Sequence, residues 1–357
     1  MSTKLYTAPL EGVTGFAWRK AHSEIFGCAD KYFSPFLSPT EHHSFTTREL
    51  RDITQDEKNL VPQILASKAD HFVWATEYVM ELGYSEVNLN LGCPSGTVVS
   101  KGKGSGMLRD TEALDRFLYE IFERLSGRLC EEPSESLGDG SDERLGGRLC
   151  EEPSGNPSGE PGGNLGGESG GNLGEEPGGK PDGLKISVKT RTGLNDSSNW
   201  PAILDVFNKY PIRELIIHPR AKTEMYKGKA NRELFLDTMK KTELPLVYNG
   251  DVATPDDEAL SFGCPVMVGR GLIRRPALFR EIRGGKSATR SELANFHDLV
   301  LEYYQIYISG DSQILHKMKE FWHYFEDNFD APDSLLKKIY KSKSLSEYKM
   351  AVSSVFK

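Results

Sequence analysis

Residues 86–95 read E-V-N-L-N-L-G-C-P-S. Val87, Leu89 and Leu91 alternate with Asn88 and Asn90, the period of two that marks a strand. The run stops at Gly92 and hands the chain to Cys93 and Pro94. A strand that ends by presenting a thiol, with an amide three residues before it, has two readings. Cys93 is a small buried residue at a strand end, or it is a reactive group held at the exit of a sheet. The rest of the chain decides between them.

Seven more short apolar runs flank this one, at 5–10, 31–33, 60–65, 186–190, 215–218, 244–248 and 266–268. Helix-period patterns lie between them, for example at 72–82, 111–125 and 231–240. Eight strands, each followed by a helix, predict an α/β fold of the parallel (β/α)8 TIM-barrel type rather than an open sheet. The barrel is expected to span residues 1–285. Beyond it the strand signal ends. Helical patterns at 293–307, 314–329, 335–340 and 345–355, separated by Gly310, Pro332 and Ser344, predict a small C-terminal helical domain over 286–357.

One stretch stands outside both units. Residues 126–183 carry G-R-L-C-E-E-P-S twice, at 127–134 and 147–154, and hold seventeen of the chain's 35 glycines. So polar a segment cannot offset its own ordering entropy, and disorder is expected. It falls between the fourth helix and the fifth strand, a connection that lies on the N-terminal face of such a barrel, away from the catalytic end. It also distorts the charge balance. The chain carries −8 overall, but this segment alone holds thirteen acidic and four basic residues, leaving 40 basic against 39 acidic elsewhere. The net acidity therefore does not exclude a polyanionic partner.

The five cysteines (Cys28, Cys93, Cys130, Cys150 and Cys264) are odd in number and scattered, with no C-x-x-C spacing. Neither a disulfide framework nor a metal site is expected, and the reading is a reduced, cytoplasmic, monomeric protein. No apolar run reaches about 18 residues, so no membrane span is expected.

In a parallel barrel the chemistry sits at the C-terminal ends of the strands. Those positions here are A-P-L-E-G (8–12), Gln63, Asn90 with Cys93, V-K-T-R (188–191), I-H-P-R (217–220), Y-N-G-D (248–251) and V-G-R-G (268–271). Lys189 alone would be an ordinary snorkelling or salt-bridged lysine, and His218 alone a hydrogen-bonded core histidine. Together, at successive exits beside a thiol, they point to a site. Gly250 after strand seven, and Gly269 and Gly271 after strand eight, would let backbone N–H groups approach a phosphate, with Arg270 adding a charged fork. A phosphate-bearing ligand with a thiol at its side suggests FMN. No G-x-G-x-x-G follows the first strand, which disfavours a tightly held dinucleotide.

At this point A-P-L-E-G-V-T-G, V-P-Q-I-L, N-L-N-L-G-C-P-S-G-T-V, V-K-T-R-T-G, H-P-R, Y-N-G-D and G-R-G-L together resemble the bacterial tRNA-dihydrouridine synthases, from residue 5 to about residue 282. The resemblance implies an FMN enzyme that uses NADPH to reduce the C5=C6 bond of particular uridines in tRNA. It implies that Pro9, Leu10, Glu11, Gln63, Lys189, His218, Asn249, Gly250, Asp251, Gly269 and Arg270 contact FMN, with Asn90 near the flavin and the base. Cys93 is the implied proton donor to C5, complementing hydride transfer from reduced FMN to C6. A thiol with a pKa near ~8.5 suits a general acid at neutral pH. The helical tail fits the family's RNA-recognition domain. Lys337, Lys338 and Lys341 in that tail, together with Arg191 and Arg220, are the candidate RNA contacts. Leu10 replaces the methionine usual in this family, Pro219 stands where many members have glycine, and the insert is not a family feature. Two other readings stay open. One is an FMN barrel oxidoreductase of a free pyrimidine or an enone, of dihydroorotate dehydrogenase type. The other is a barrel that binds RNA without turnover.

Overall fold

The structure, a computed structural model, describes residues 2–55, 57–129 and 183–357. Strands β1 (Leu5–Thr7), β2 (Lys31–Leu37), β3 (Leu60–Ile64), β4 (Glu86–Leu91), β5 (Lys185–Arg191), β6 (Leu215–His218), β7 (Leu246–Tyr248) and β8 (Val266–Val268) close into one parallel barrel in chain order. Around it run α1 (Phe16–Ile25), α2 (Thr47–Arg51), α3 (Ala69–Glu81), α4 (Gly96–Val99), α5 (Thr111–Leu125), α6 (Trp200–Phe207), α7 (Arg232–Met239), α8 (Arg270–Arg274) and α9 (Leu278–Ile282). The tail forms α10 (Arg290–Tyr307), α11 (Asp311–Phe325), α12 (Asp333–Lys341) and α13 (Leu345–Phe356). No helix among the described residues is long and apolar enough to cross a membrane.

Two departures from the expected pattern have local causes. β2 runs on to Leu37 instead of stopping at 33. The ladder absorbs Ser34 and Pro35 in an irregularity between Phe33 and Phe36, where a proline that cannot donate is tolerated. β7 is followed by only a short 3-10 turn, Glu258–Ser261, capped by Asp257, rather than by a helix.

The strands' outward faces, such as Val87, Leu89, Leu91, Ile186 and Val188, pack under the helices in the main core, and their inward faces form a separate small core. The lower end of the barrel is closed by charge. Lys31 bridges Glu86 and Glu214, both at 2.8 Å, and the Tyr6 hydroxyl donates to Glu214 at 2.7 Å.

The tail helices lie against α1 through an aromatic seam. Phe16 meets Tyr307 edge-on at 5.0 Å, and Phe296 meets Trp18 at 6.1 Å and Phe26 at 5.3 Å. A capping box of Thr289 and Glu292, with Glu292 also bound to Arg280, starts α10 sharply. α11 then reaches the loop after β1. Gly12 stands there at φ +85°, and a Cβ on it would lie 2.5 Å from Glu320 Oε1. The tail thus borders the catalytic end of the barrel.

The repeat-bearing segment falls almost wholly outside the described residues, and with it the expectation of disorder. Its two ends are described, and they meet. Leu129 bridges Leu184, Leu184 N–H donates to Arg128 at 2.6 Å, and Lys185 N–H donates to Ser85 just before β4. The chain leaves and returns at the N-terminal face. Among the described cysteines Cys93 and Cys264 are free thiols, whereas Cys28 is disulfide-bonded, which departs from the expectation of a fully reduced chain.

Because the two ends already touch, residues 130–183 are replaceable by a four-residue Gly/Ser linker. Shortening the loop roughly tenfold lowers its closure cost by about 2 kcal/mol. With parent and variant both carrying Cys28→Ser, so that no disulfide is lost with the segment, the Tm of the variant should match the parent or exceed it by roughly 2–5 °C. A lower Tm would show that the removed residues pack on the body.

Candidate active site

Side chains along a strand alternate faces. Tyr6, Phe33, Val61, Ile216, Val247 and Met267 fill the lower interior of the barrel. Two residues further along the same faces stand Ala8, Gln63, His218, Asn249 and Gly269; on β4 and β5 the corresponding positions are Asn90 and Lys189, paired across the ladder. The fold therefore gathers the strand-exit residues into one ring at the barrel mouth. On β4 and β5 the layer beneath is polar too, with Asn88 and Ser187, and sequence reading assigned those two no role.

The amide three residues before the thiol has a structural purpose. Asn90 Oδ1 accepts from the backbone N–H of Gly92 at 3.0 Å and of Cys93 at 2.9 Å, so it shapes the turn that carries the cysteine. The chain then folds back underneath. Cys93 O accepts from the N–H and the hydroxyl of Ser105, and Gly104, at φ +56°, passes so close that a Cβ there would sit 2.9 Å from that oxygen. This supporting loop, K-G-K-G-S-G at 101–106, was also missed, although its alternating glycines were a visible signal. Cys93 is half-buried, and burial pushes its thiol up from the ordinary value, partly opposed by the Ser95 N–H and the charges of Lys189 and Arg191. At neutral pH it holds its proton.

Lys189 is the unusual charge of the ring. Burial, reinforced by Arg191, lowers its pKa to about 7. No hydrogen bond or ion pair from its Nζ is present among the described residues. A half-buried lysine without a partner is poised for an anionic or electron-rich ligand.

The other cations are committed to the protein. Arg191, 2 % exposed, donates to the carbonyls of Gly92, Ala221 and Met225. Arg220, 1 % exposed, binds Asp251 and the Gly228 carbonyl. Neither faces solvent. His218 donates from Nδ1 to the Asn249 carbonyl at 2.6 Å, which leaves Nε2 to accept from Arg220 at 3.3 Å. Burial, with Arg191 and Lys189 nearby, drives its pKa well below the ordinary value, so the ring is neutral. Asn249 also ties β7 to β8 by donating to Met267 O at 2.8 Å. Asp251, despite burial that would raise it, is held below the usual carboxylate range by Arg220 and Arg270.

The loops after β7 and β8 satisfy two requirements at once. Gly250 and Gly271 are demanded by packing, because a Cβ would collide with the Tyr248 hydroxyl or the Val252 carbonyl respectively. The backbone N–H groups of Gly250, Asp251, Gly269, Arg270 and Gly271 meanwhile donate to nothing among the described residues. Free N–H groups in two adjacent loops beside a guanidinium suit a phosphate. Tyr226, exposed in the loop before α7, lies under the Arg270 guanidinium at 4.2 Å, near Arg191 at 5.4 Å and His218 at 6.0 Å. No local sequence pattern announces it.

At the β1 exit, Pro9 and Leu10 are half-buried, Leu10 N–H donates to Thr14, and Glu11 pairs with Arg48. Lys337, Lys338 and Lys341 lie exposed on α12, away from buried Ile339, and make no ion pair among the described residues. His43, Asp70 and His71 form the one group of metal-capable side chains among the described residues. Its Asp70 is already bonded to His43 and Arg124.

Known proteins resemble this chain in sequence. The chain is 24% identical to the probable tRNA-dihydrouridine synthase 2 of Bacillus subtilis (strain 168), over 95% of this chain and 90% of that one. It is 23% identical to a probable tRNA-dihydrouridine synthase of Staphylococcus epidermidis (strain ATCC 12228 / FDA PCI 1200), with the same coverage. Among solved structures, histamine dehydrogenase from Rhizobium sp. 4-9 superposes with a TM-score of 0.48 at 10% identity, covering 83% of this chain and 49% of that one. The description of the dihydrouridine synthase (Dus) family matches residues 6–126 and 180–355, skipping the repeat-bearing segment and taking in both the barrel and the tail helices. By that match the chain belongs to the dihydrouridine synthase family.

Proposed function

We propose that this protein reduces the C5=C6 bond of uridines in tRNA in the cytoplasm, with FMN as its bound flavin, NADPH as reductant and Cys93 as proton donor. The observation that carries this reading is a protonated thiol held by Asn90 at the barrel mouth beside a lysine without a partner. Family membership supports uridine as the substrate and disfavours a free pyrimidine, an enone or binding without turnover.

The residues present fit the flavin. Its phosphate would take the free N–H groups of the Gly250–Asp251 and Gly269–Gly271 loops with Arg270, and its ring would take Lys189, Gln63 and the Pro9–Leu10 segment. When bound, that flavin supplies a hydride for C6 of the uracil ring. The chain supplies the rest. Cys93 gives its proton to C5, so that one hydride and one proton together saturate the double bond, and the thiolate left behind is reprotonated from solvent. Lys189 and Arg191 lie close enough to the sulfur to stabilise that thiolate. A base must leave its stack to reach a barrel mouth, at a cost of a few kcal/mol. The tail helices beside the β1 loop are placed to offset it by holding the surrounding RNA.

Three outcomes test these roles. Cys93→Ala should keep bound flavin and continue to oxidise NADPH, while dihydrouridine formation in tRNA falls by at least about 100-fold; mass spectrometry of the tRNA product reads this directly, and parental product levels would remove Cys93 from the chemistry.

Lys189 gives a pH dependence of definite sign. Its pKa of about 7 in the free protein is raised when the carbonyl-bearing edge of the flavin ring accepts a hydrogen bond from its charged form, so binding takes up a proton above pH 7. FMN affinity should therefore fall by roughly three- to tenfold as pH rises from 7 to 8.5, a window above the phosphate's second ionisation near ~6. Fluorescence titration of Lys189→Met should show that dependence flattened.

Changing Lys337, Lys338, Lys341 and Lys343 together to glutamine should weaken tRNA binding and shallow its log–log salt slope by roughly 0.7–1 unit per lost phosphate contact. Flavin content should not change. An unaltered affinity and slope would make α12 a solvated face.

A further inference from the structure

The lower interior layer of the barrel is apolar except at two positions. Six strands fill it with Tyr6, Phe33, Val61, Ile216, Val247 and Met267, whereas β4 and β5 contribute Asn88 and Ser187, both fully buried. An amide and a hydroxyl in such a place cost free energy unless they are hydrogen-bonded. Both are bonded, and they stand in a line. Gly92 and Cys93 N–H donate to Asn90 Oδ1. Asn90 Nδ2 donates to Gln63 Oε1 at 2.6 Å, Gln63 Nε2 to Asn88 Oδ1 at 2.8 Å, and Asn88 Nδ2 to Ser187 Oγ at 2.9 Å. The Ser187 hydroxyl closes the line on the Val87 carbonyl at 3.3 Å.

Chemistry imposes a direction on this line. Backbone N–H groups only donate, so Asn90 must turn its oxygen toward Gly92 and Cys93 and its NH2 toward Gln63. Gln63 then has to accept with Oε1 and donate with Nε2, and Asn88 must do the same in turn. Ser187 is left to accept, and its own proton goes to the carbonyl of Val87. Turning Asn90 or Gln63 over would set donor against donor on one side and acceptor against acceptor on the other, and turning Asn88 over would set its NH2 against that of Gln63. The orientation of three side chains is therefore dictated from the turn that carries the thiol, and each holds the next.

We propose that Ser187 and Asn88, which line the barrel beneath the site, are positioning residues that lock the Cys93 turn through Gln63 and Asn90. The same polarity leaves a second N–H on Asn90 with no acceptor among the described residues, and Asn90, unlike fully buried Gln63, keeps some exposure at the mouth. That donor suits a ligand edge bearing a carbonyl oxygen, as a pyrimidine or a flavin does. The inference rests on the reading of Cys93 as proton donor.

The test compares Ser187→Ala and Asn88→Ala with Val61→Ala, which trims the same interior layer but lies outside the line. Each is made in the full-length, flavin-loaded protein, with Cys93→Ala giving the background alkylation of every other thiol, Cys264 included. Three quantities are read: the rate of Cys93 alkylation by iodoacetamide from pH 7 to 10, flavin reduction by NADPH, and dihydrouridine formed in tRNA in a single turnover. Ser187→Ala leaves Asn88 Nδ2 without its acceptor. It should slow dihydrouridine formation roughly five- to tenfold and raise Cys93 alkylation by a similar factor, as the loosened turn exposes the half-buried thiol. Asn88→Ala should do the same, and flavin reduction should stay within about twofold of the parent in both.

Parental alkylation and parental dihydrouridine formation in Ser187→Ala would overturn the proposal. So would an equal change in Val61→Ala, or a loss of flavin reduction as large as the loss of product, since either would mean a general packing defect. The alkylation profile reads the line whatever the substrate is. Absence of dihydrouridine in the parent protein would sink the functional reading alone, and alkylation would then decide this one.

Discussion

The parallel register between β4 and β5 is the constraint on which the site depends. It sets Asn88 opposite Ser187 and Asn90 opposite Lys189. Barrel closure then forces these inward positions into one small volume with Gln63 from β3. Period-two geometry makes the arrangement all or none. A slip of one residue would turn Val87, Leu89 and Val188 inward and expose the amides and the lysine to the helices outside. The apolar outer faces packed under those helices are thus what specifies the chemistry inside, though none of them touches the site.

That volume holds more positive charge than the protein itself balances. Arg191 is hydrogen-bonded to backbone carbonyls, Arg220 is paired with Asp251, and His218 stays uncharged. Lys189 has no such arrangement, and burial, reinforced by Arg191, lowers its pKa. Thiol and tunable cation sit side by side, each influencing the other's charge. Burial keeps the thiol protonated, and the charge of the lysine opposes it by favouring the thiolate. One neighbour could not serve both needs if it were permanently charged and paired.

Much of this was legible in the sequence because a barrel concentrates function at strand exits. The alternation at 86–91 revealed β4, and its end revealed Cys93; the same logic found Lys189, His218 and the loops after β7 and β8. What stayed hidden depended on contacts across the fold. Asn88 shares the face and spacing of Asn90, but nothing local says that an amide in that lower layer meets a serine about a hundred residues later. Arg191 and Arg220 were candidate RNA contacts, yet both are buried and bonded to backbone carbonyls, among them those of Met225 and Gly228 in the loop before α7. Gly250 and Gly271 read as phosphate glycines, while the structure shows that Tyr248 and Val252 require them as well. Tyr226 belongs to a loop with no periodicity, so only the closed barrel brings it onto Arg270.

The tail helices are joined to the rim of the site through one framework. Their aromatic seam lies against α1, the helix that directly follows the β1 exit loop. Phe16 opens that helix, four residues after Gly12, and Gly12 is where α11 comes closest. Lys317 of α11 donates to the Gly12 carbonyl, and the neighbouring Glu11 pairs with Arg48 of α2. Any movement of α10 or α11 must therefore act on the segment from Pro9 to Gly12 at the rim of the mouth. A large RNA could then be gripped on the tail without losing alignment at the thiol, because the rim, the first helix and the tail share one continuous apolar core.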